Sequence, residues 1–90
     1  MMVRYDREAD AAYVYVSGPI PDGGVAYTED VSVRGYYERG IDYDAEDRIL
    51  GYEFLNVSRG VDLSDLPHRD ELATLFAERG IRVLGGVEGA

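Results

Sequence analysis

The chain has 90 residues, 46% of them hydrophobic and 30% charged, with 18 acidic and 9 basic side chains and a formal net charge of −9. This length is typical of one small domain, and the hydrophobic fraction is too high for a disordered chain. The acidic excess and the scattered arginines disfavour binding to nucleic acid or to an anionic membrane surface, and the lack of cysteine excludes disulfides, thiolate nucleophiles and cysteine zinc sites.

The first predicted elements are two strands over residues 2–6 and 12–16. The first alternates in polarity and the second is rich in β-branched and aromatic side chains, as is typical of half-buried strands. Between them, Asp6 is predicted to cap a single helical turn and Asp10 to close it. We therefore assign both aspartates to turn formation.

A loop and a third strand are predicted next. Residues 17–24 contain two prolines and three glycines, which favour a loop. Over residues 25–34 apolar and polar side chains alternate, and Glu29 is the exception on the apolar side. This alternation predicts a half-buried strand that is bulged or interrupted near Glu29.

A hairpin is predicted from strands over residues 37–43 and 48–57, joined by the four residues from Asp44 to Asp47. We assign Asp44 and Asp47 to the turn, where Asp47 takes a positive φ that aspartate tolerates better than most residues. The second strand is apolar on both faces, so it is predicted to be central. Its two faces are formed by Ile49, Leu55 and Val57 on one side and by Leu50, Tyr52 and Phe54 on the other.

A helix is predicted over residues 66–79, with Asp65 as its cap and Gly80 at its end. Its inward stripe comprises Leu72, Leu75 and Phe76. Residues 81–84 are predicted to form a short edge strand or an arm, and residues 85–90 to fray. The chain is therefore predicted to be one α+β domain over residues 1–90, in which a small antiparallel β-meander of four to five strands packs one face against one C-terminal helix.

The eight tyrosines suggest how the second sheet face is used. Tyrosine combines a large contact area with a polar tip that suits interfaces, although packing and cross-strand pairing explain the set equally well. One helix covers one face, so the other face needs a further cover, and self-association, most simply into a dimer, provides it. The interface candidates are Tyr13, Tyr15, Leu50, Tyr52 and Phe54.

Glu53, the acidic segment of residues 42–47 and His68 are each interpreted as structural, not catalytic or metal-binding, features. Glu53 shares its parity with Ile49 and Leu55, which predicts a buried, paired structural carboxylate, with a general base as the alternative. The segment of residues 42–47 contains four acidic side chains, but its spacing lacks the glycine at the sixth position and the glutamate at the twelfth position of a calcium loop, so we predict no metal site. His68 is the only histidine and is predicted to be exposed in the first turn of the helix, without a neighbouring nucleophile.

Two segments carry a recognisable pattern. The first runs from Tyr5-Asp6 through Asp10-Ala11 to Tyr13, and the second combines Asp42-Tyr43-Asp44 with Ile49, Gly51, Glu53 and Phe54. Over roughly residues 2–58 this pattern resembles the DUF2283 family, small prokaryotic domains of unknown function. It departs from the family at Ala12 and Asp47, where leucine and glycine are expected. The resemblance implies a β-meander with an appended helix and no assigned activity, and because similar genes often lie beside small toxin genes it also implies an antitoxin-like role.

We expect a homo-oligomeric, acidic protein-interaction module with a basic protein partner, no enzymatic activity and no cofactor. One alternative is a small-ligand-binding domain with a tyrosine-lined cleft, which requires convergent polar groups. A second is a hydrolase that uses Asp10 and Glu53, which requires their carboxyl groups to lie within about 10 Å of each other. Since the sequence contains no signal peptide and no long apolar run, we expect a cytoplasmic protein.

Overall fold

The computed structural model describes residues 1–33 and 38–84. Five strands form one antiparallel sheet, namely β1 (Met2–Asp6), β2 (Ala11–Tyr15), β3 (Tyr27–Asp30), β4 (Arg39–Tyr43) and β5 (Ile49–Leu55). Their spatial order is β1-β2-β5-β4-β3, so that β3, β4 and β5 form a meander to which the β1–β2 hairpin is added through β5. With the C-terminal helix α1 (Arg69–Glu78), this sheet confirms the predicted α+β class.

Three predictions fall partly or wholly on residues 34–37 and 85–90, which lie outside the described residues. These are the end of the third strand at residue 34, the start of the hairpin strand at residue 37 and the frayed end at 85–90. The predicted third strand is longer than β3, since only Tyr27–Asp30 is paired in the sheet.

One face of the sheet, the covered face, packs against α1 and the segment that leads to it. The rings of Phe54 on β5 and Phe76 on α1 meet edge to face, with their centroids 5.0 Å apart. The buried strand residues of this face are Val3, Ala12, Val14, Ile41, Tyr52 and Phe54. The cover contributes Val57, Val61, Leu63, Leu66, Leu72, Phe76 and Ile81 to the same core.

A β-bulge changes the predicted alternation in β5. Asp42 pairs with Gly51, but the next residue, Tyr43, pairs with Ile49, so Leu50 is the extra residue. The extra residue reverses the parity of the strand beyond it. Ile49 therefore packs against the same core as Tyr52, and its predicted placement on the other face is wrong.

Helix α1 begins later than predicted and ends at the predicted glycine. Asp65 and His68 have φ angles of 62° and 61°, so the chain turns twice before His68 occupies the N-cap position. The predicted start at residue 66 with Asp65 as the cap is therefore wrong. At the other end Gly80 has a φ of 73°, its amide donates to Ala77, and the amide of Ile81 donates to Phe76, as in a Schellman motif.

After this helix end the chain returns to the core. β6 (Val61–Asp62) and β7 (Val83–Leu84) pair in parallel, so part of residues 81–84 does form a short strand. Among the described residues, no helix has the length and apolar character that crossing a membrane requires.

Candidate interaction surface

The face of the sheet opposite α1, called here the open face, consists of three cross-strand rows. Residues that pair directly across adjacent strands point to the same side of a sheet. The first row is Arg4, Tyr13, Glu53, Gly40 and Asp30, the second is Met2, Tyr15, Gly51, Asp42 and Thr28, and the third is Asp6, Ala11 and Leu55. The pairing therefore brings side chains from all five strands onto one surface.

Tyr13 is held rigidly on this surface. Its ring lies directly over Gly51, because a Cβ atom at that position would overlap the ring. Its hydroxyl donates to Asp42 Oδ2 at 2.6 Å, and Thr28 Oγ1 donates to the other oxygen of the same carboxylate at 2.5 Å. Burial and the hydrogen bond to Asp42 raise the pKa of Tyr13 well above its ordinary value, so the hydroxyl remains a donor.

Tyr15 extends the aromatic part of the open face. Its ring meets that of Tyr13 at an angle of 61°, with the centroids 4.8 Å apart. This edge-to-face arrangement is one that aromatic pairs favour. The two half-buried rings form an aromatic surface beside the centre of the sheet.

Glu53 lies at the centre of the open face and is exposed. The predicted burial of this carboxylate is therefore wrong, because α1 covers the side of β5 that carries Tyr52 and Phe54. Its direct cross-strand neighbours are Tyr13 and Gly40. Within residues 1–33 and 38–84, Glu53 forms neither a hydrogen bond nor an ion pair.

Two depressions flank Glu53. One, of about 280 Å³, is lined by residues of β1, β2 and β5 that include Arg4, Asp6, Tyr13 and Tyr15. The other, of about 180 Å³, lies over Gly40 towards Asp30 and Glu38. Glu53 contributes to both, so it forms the ridge between them.

The open face is strongly acidic. It carries four carboxylates, those of Asp6, Asp30, Asp42 and Glu53, against the single guanidinium of Arg4, a net charge of −3. Hydrogen bonds from Ser32 lower the pKa of Asp30 and keep it ionised. The ion pairs of the described residues lie elsewhere, at Arg48 and Arg69, so the charge of this face is not neutralised within the described chain.

The structure separates the five predicted interface residues. Tyr13 and Tyr15 lie on the open face, whereas Tyr52 and Phe54 are 0% and 2% exposed under α1. Leu50 is half-buried at the bulge. Tyr52 and Phe54 are therefore wrong as interface candidates, because neighbouring residues alternate between faces and α1 packs on the side that carries these two.

Two of the predicted turn aspartates flank the turn between β1 and β2. Asp6 Oδ1 accepts a hydrogen bond from the amide of Ala9 at 3.0 Å. Asp10 has a φ of 54° and accepts two hydrogen bonds from Ser58, from the amide at 2.8 Å and from the hydroxyl at 2.6 Å. Asp10 therefore ties this turn to the 3₁₀ turn Val57–Arg59, a long-range contact that sequence patterns do not reveal.

The other two lie in the β4–β5 connection. Asp44 accepts hydrogen bonds from the amides of Glu46 and Arg48, and these bonds, led by that from Arg48, lower the pKa of the Asp44 carboxyl. Asp47 has a φ of 63° and accepts a hydrogen bond from the hydroxyl of Tyr27 at 2.6 Å. All four turn aspartates thus hold backbone or side-chain donors.

A family model for a protein of unknown function, DUF2283, matches residues 2–58, more than half of the chain. The chain belongs to the DUF2283 family. No curated protein and no solved structure matches it.

The match includes every residue of the open face, while α1 lies beyond it. The DUF2283 part of the chain thus contributes one complete sheet surface. Among the residues that the structure describes, no group of histidine, aspartate and glutamate is placed to hold a metal ion.

Two polar groups on the covered side of the DUF2283 sheet are buried. The Tyr52 hydroxyl donates to the carbonyl of Pro67 at 3.1 Å and shares a hydrogen bond of 2.9 Å with Nδ1 of His68, which is exposed as predicted. Arg39 is 8% exposed and donates to the carbonyls of Val31 and Asp62, both at 2.6 Å. Burial lowers the pKa of Arg39.

The sequence patterns did not identify Arg39, which links β4 to the carbonyls of Val31 and Asp62, or Gly51, which leaves room for the ring of Tyr13. Arg39 shares the parity of Ile41 and Tyr43, and this was the available signal for its inward direction. Gly51 gave a weaker signal, because a glycine inside a strand often marks a close approach of another group, here the ring of Tyr13.

Proposed function

We propose that this DUF2283 protein is a cytoplasmic protein-interaction domain whose open face binds a basic segment of another protein. The observation that carries the proposal is a sheet face with a net charge of −3, two tyrosine rings and a central carboxylate, Glu53, that has no partner among residues 1–33 and 38–84. Aromatic anchors surrounded by complementary charge are typical of protein interfaces. An antitoxin-like role, in which the partner is a basic toxin, is one form of this function.

A basic partner fits the open face better than a second copy of the chain does. Stacking two open faces would bring two surfaces of like charge together, which costs free energy in a partly desolvated interface. A partner rich in arginine or lysine instead compensates Asp6, Asp30 and Glu53. Homodimerisation through this face is therefore the less favoured arrangement.

The dimensions of the depressions favour a protein partner over a small molecule. The two depressions beside Glu53 measure about 280 and 180 Å³, whereas small-molecule sites usually span about 300–1,000 Å³ and enclose most of the ligand. The open face is a continuous surface of five strands. Such a surface suits a segment that lies across several strands.

Binding of a synthetic peptide that alternates arginine and serine tests the proposal. We expect calorimetric titration to show binding that weakens at high salt, since exposed charges are screened. Glu53→Arg should weaken it at least about tenfold, because like charges now oppose each other. The control is Glu78→Arg, which makes the same change of net charge at the exposed end of α1 and should weaken binding much less.

Three results contradict the proposal. The first is the absence of peptide binding, and the second is an equal effect of the two variants, which means that only the overall charge matters. The third is a wild-type dimer, seen by sedimentation, that Glu53→Arg dissociates, because the occupant of the open face is then a second copy.

A further inference from the structure

Tyr13 and Glu53 are direct cross-strand neighbours at the centre of the open face. Side chains in such a pair have Cβ atoms about 4.5–5.5 Å apart, so one ligand group can contact both. The two residues also share the depression of about 280 Å³ with Tyr15. An aromatic ring and a carboxylate thus line the same concave surface.

The two groups differ in their existing contacts. The ring of Tyr13 is fixed by Gly51 beneath it and by the hydrogen bond to Asp42, so a ligand does not have to order it. Glu53 has no hydrogen bond or ion pair within the described chain, and Arg4, on the other side of Tyr13, forms no ion pair there either. The Glu53 carboxylate is therefore available to an incoming cation.

We infer that Tyr13 and Glu53 form a subsite that binds an arginine side chain of the partner and discriminates it from lysine. A guanidinium is planar, so it can stack on a ring and donate two parallel hydrogen bonds to one carboxylate. An ammonium group lacks this planar fork and is more strongly hydrated. This inference rests on the proposed function, since it names the group that the basic segment inserts.

The subsite is tested with two peptides of equal length and charge, one alternating arginine and serine and the other alternating lysine and serine. We expect wild-type protein to bind the arginine peptide about tenfold more tightly in calorimetric titrations, with one such contact dominating the difference. Tyr13→Leu should abolish the preference while both peptides still bind through charge. Glu53→Gln, an exposed and nearly isosteric change, should also abolish it and serves if Tyr13→Leu does not fold.

Tyr27→Leu is the matched control, because Tyr27 is 46% exposed on the edge strand β3 and lies outside the open face. It should keep the preference for arginine. Equal affinity of the wild type for both peptides overturns the arginine subsite but leaves the basic-partner proposal standing, whereas failure to bind either peptide overturns both. Retention of the preference in Tyr13→Leu and Glu53→Gln also overturns the subsite.

Discussion

The covered and open faces belong to one sheet but are stabilised in different ways. On the covered face, Phe54 and Tyr52 pack against α1 and are almost inaccessible to solvent. On the open face, Glu53 lies between them in sequence and is exposed without a partner in the described chain. The hydrophobic core therefore lies on one side of the sheet, and exposed polar side chains such as Glu53 on the other side do not contribute to it.

The open face nevertheless has one connected set of contacts, centred on Tyr13. Tyr13 packs on Gly51 and donates to Asp42, which also accepts from Thr28. These contacts cross β2, β5, β4 and β3. We therefore expect the open face to tolerate substitution of its exposed charges but not of the residues that hold Tyr13.

The largest expected effect is on the covered face. Phe76→Ala should lower the free energy of unfolding by about 3–5 kcal/mol, because it leaves a cavity against Phe54. Denaturant unfolding measures this loss. Thr74→Ala, at an exposed position of the same helix, should cost less than about 1 kcal/mol. Equal losses in the two variants would show that α1 does not stabilise the covered face through Phe76.

The second prediction concerns the contact between the ring of Tyr13 and Gly51 on the open face. Gly51→Ala should cost about 1–3 kcal/mol, because the new methyl group overlaps the ring of Tyr13. Gly40→Ala should cost less, since its Cβ meets Thr28 Cγ2 at 3.4 Å. In a double-mutant cycle, Tyr13→Ala should remove most of the cost of Gly51→Ala. Additive effects would mean that the ring does not occupy this position.

The third prediction uses the buried hydroxyl of the covered face. Burial raises the pKa of Tyr52 from 10.0 to about 12, so the folded state retains this proton where the unfolded state loses it. Stability from Tyr52 is therefore fully present below pH 10 and should fall by about 2 kcal/mol as the pH rises to about 12.

Denaturant unfolding at a series of alkaline pH values measures this decline. Tyr52→Phe keeps the ring but has no proton to lose, so its decline between pH 10 and about 12 should be smaller. Parallel pH dependence in the two proteins would refute the contribution of Tyr52.

The smallest expected effect is at Glu53. Glu53→Gln should change the free energy of unfolding by no more than about 0.5 kcal/mol, because the carboxylate is exposed and forms no hydrogen bond within the described chain. Glu78→Gln, at an exposed helix position, should behave alike in the same unfolding experiment. A loss above about 1 kcal/mol for Glu53→Gln alone would restore the prediction of a structural carboxylate.

The turns were predictable because their signals are local. Asp6 accepts a hydrogen bond from the amide of a residue three positions away, and Asp47 takes its positive φ within a short connection. Gly80 ends α1 with a positive φ and a hydrogen bond from its amide to Ala77. In each case the side chain or the φ preference determines the conformation of residues that are close in sequence. The contact between Asp10 and Ser58 is different, since it joins residues 48 positions apart.

The candidate surface was only partly predictable. Alternation along a strand correctly separates Glu53 from Phe54, but it does not indicate which of them faces the core. The shared parity of Ile49, Glu53 and Leu55 predicts that Glu53 faces the core. The bulge at Leu50 breaks this parity, so Ile49 packs on the covered face while Glu53 lies on the open face.

The amino-acid pattern alone predicted the fold class, the family, the approximate positions of β1 to β5, the turn aspartates and the acidic character of the chain, but neither the bulge at Leu50 nor β6. The choice of covered face depended on where α1 docks, and that docking is set by contacts such as Phe54 with Phe76 between distant segments. Periodicity specifies which residues share a face, whereas burial depends on the summed packing of elements far apart in the chain. Tyr13 and Glu53 therefore share the open face because α1 docks on the opposite side of the sheet.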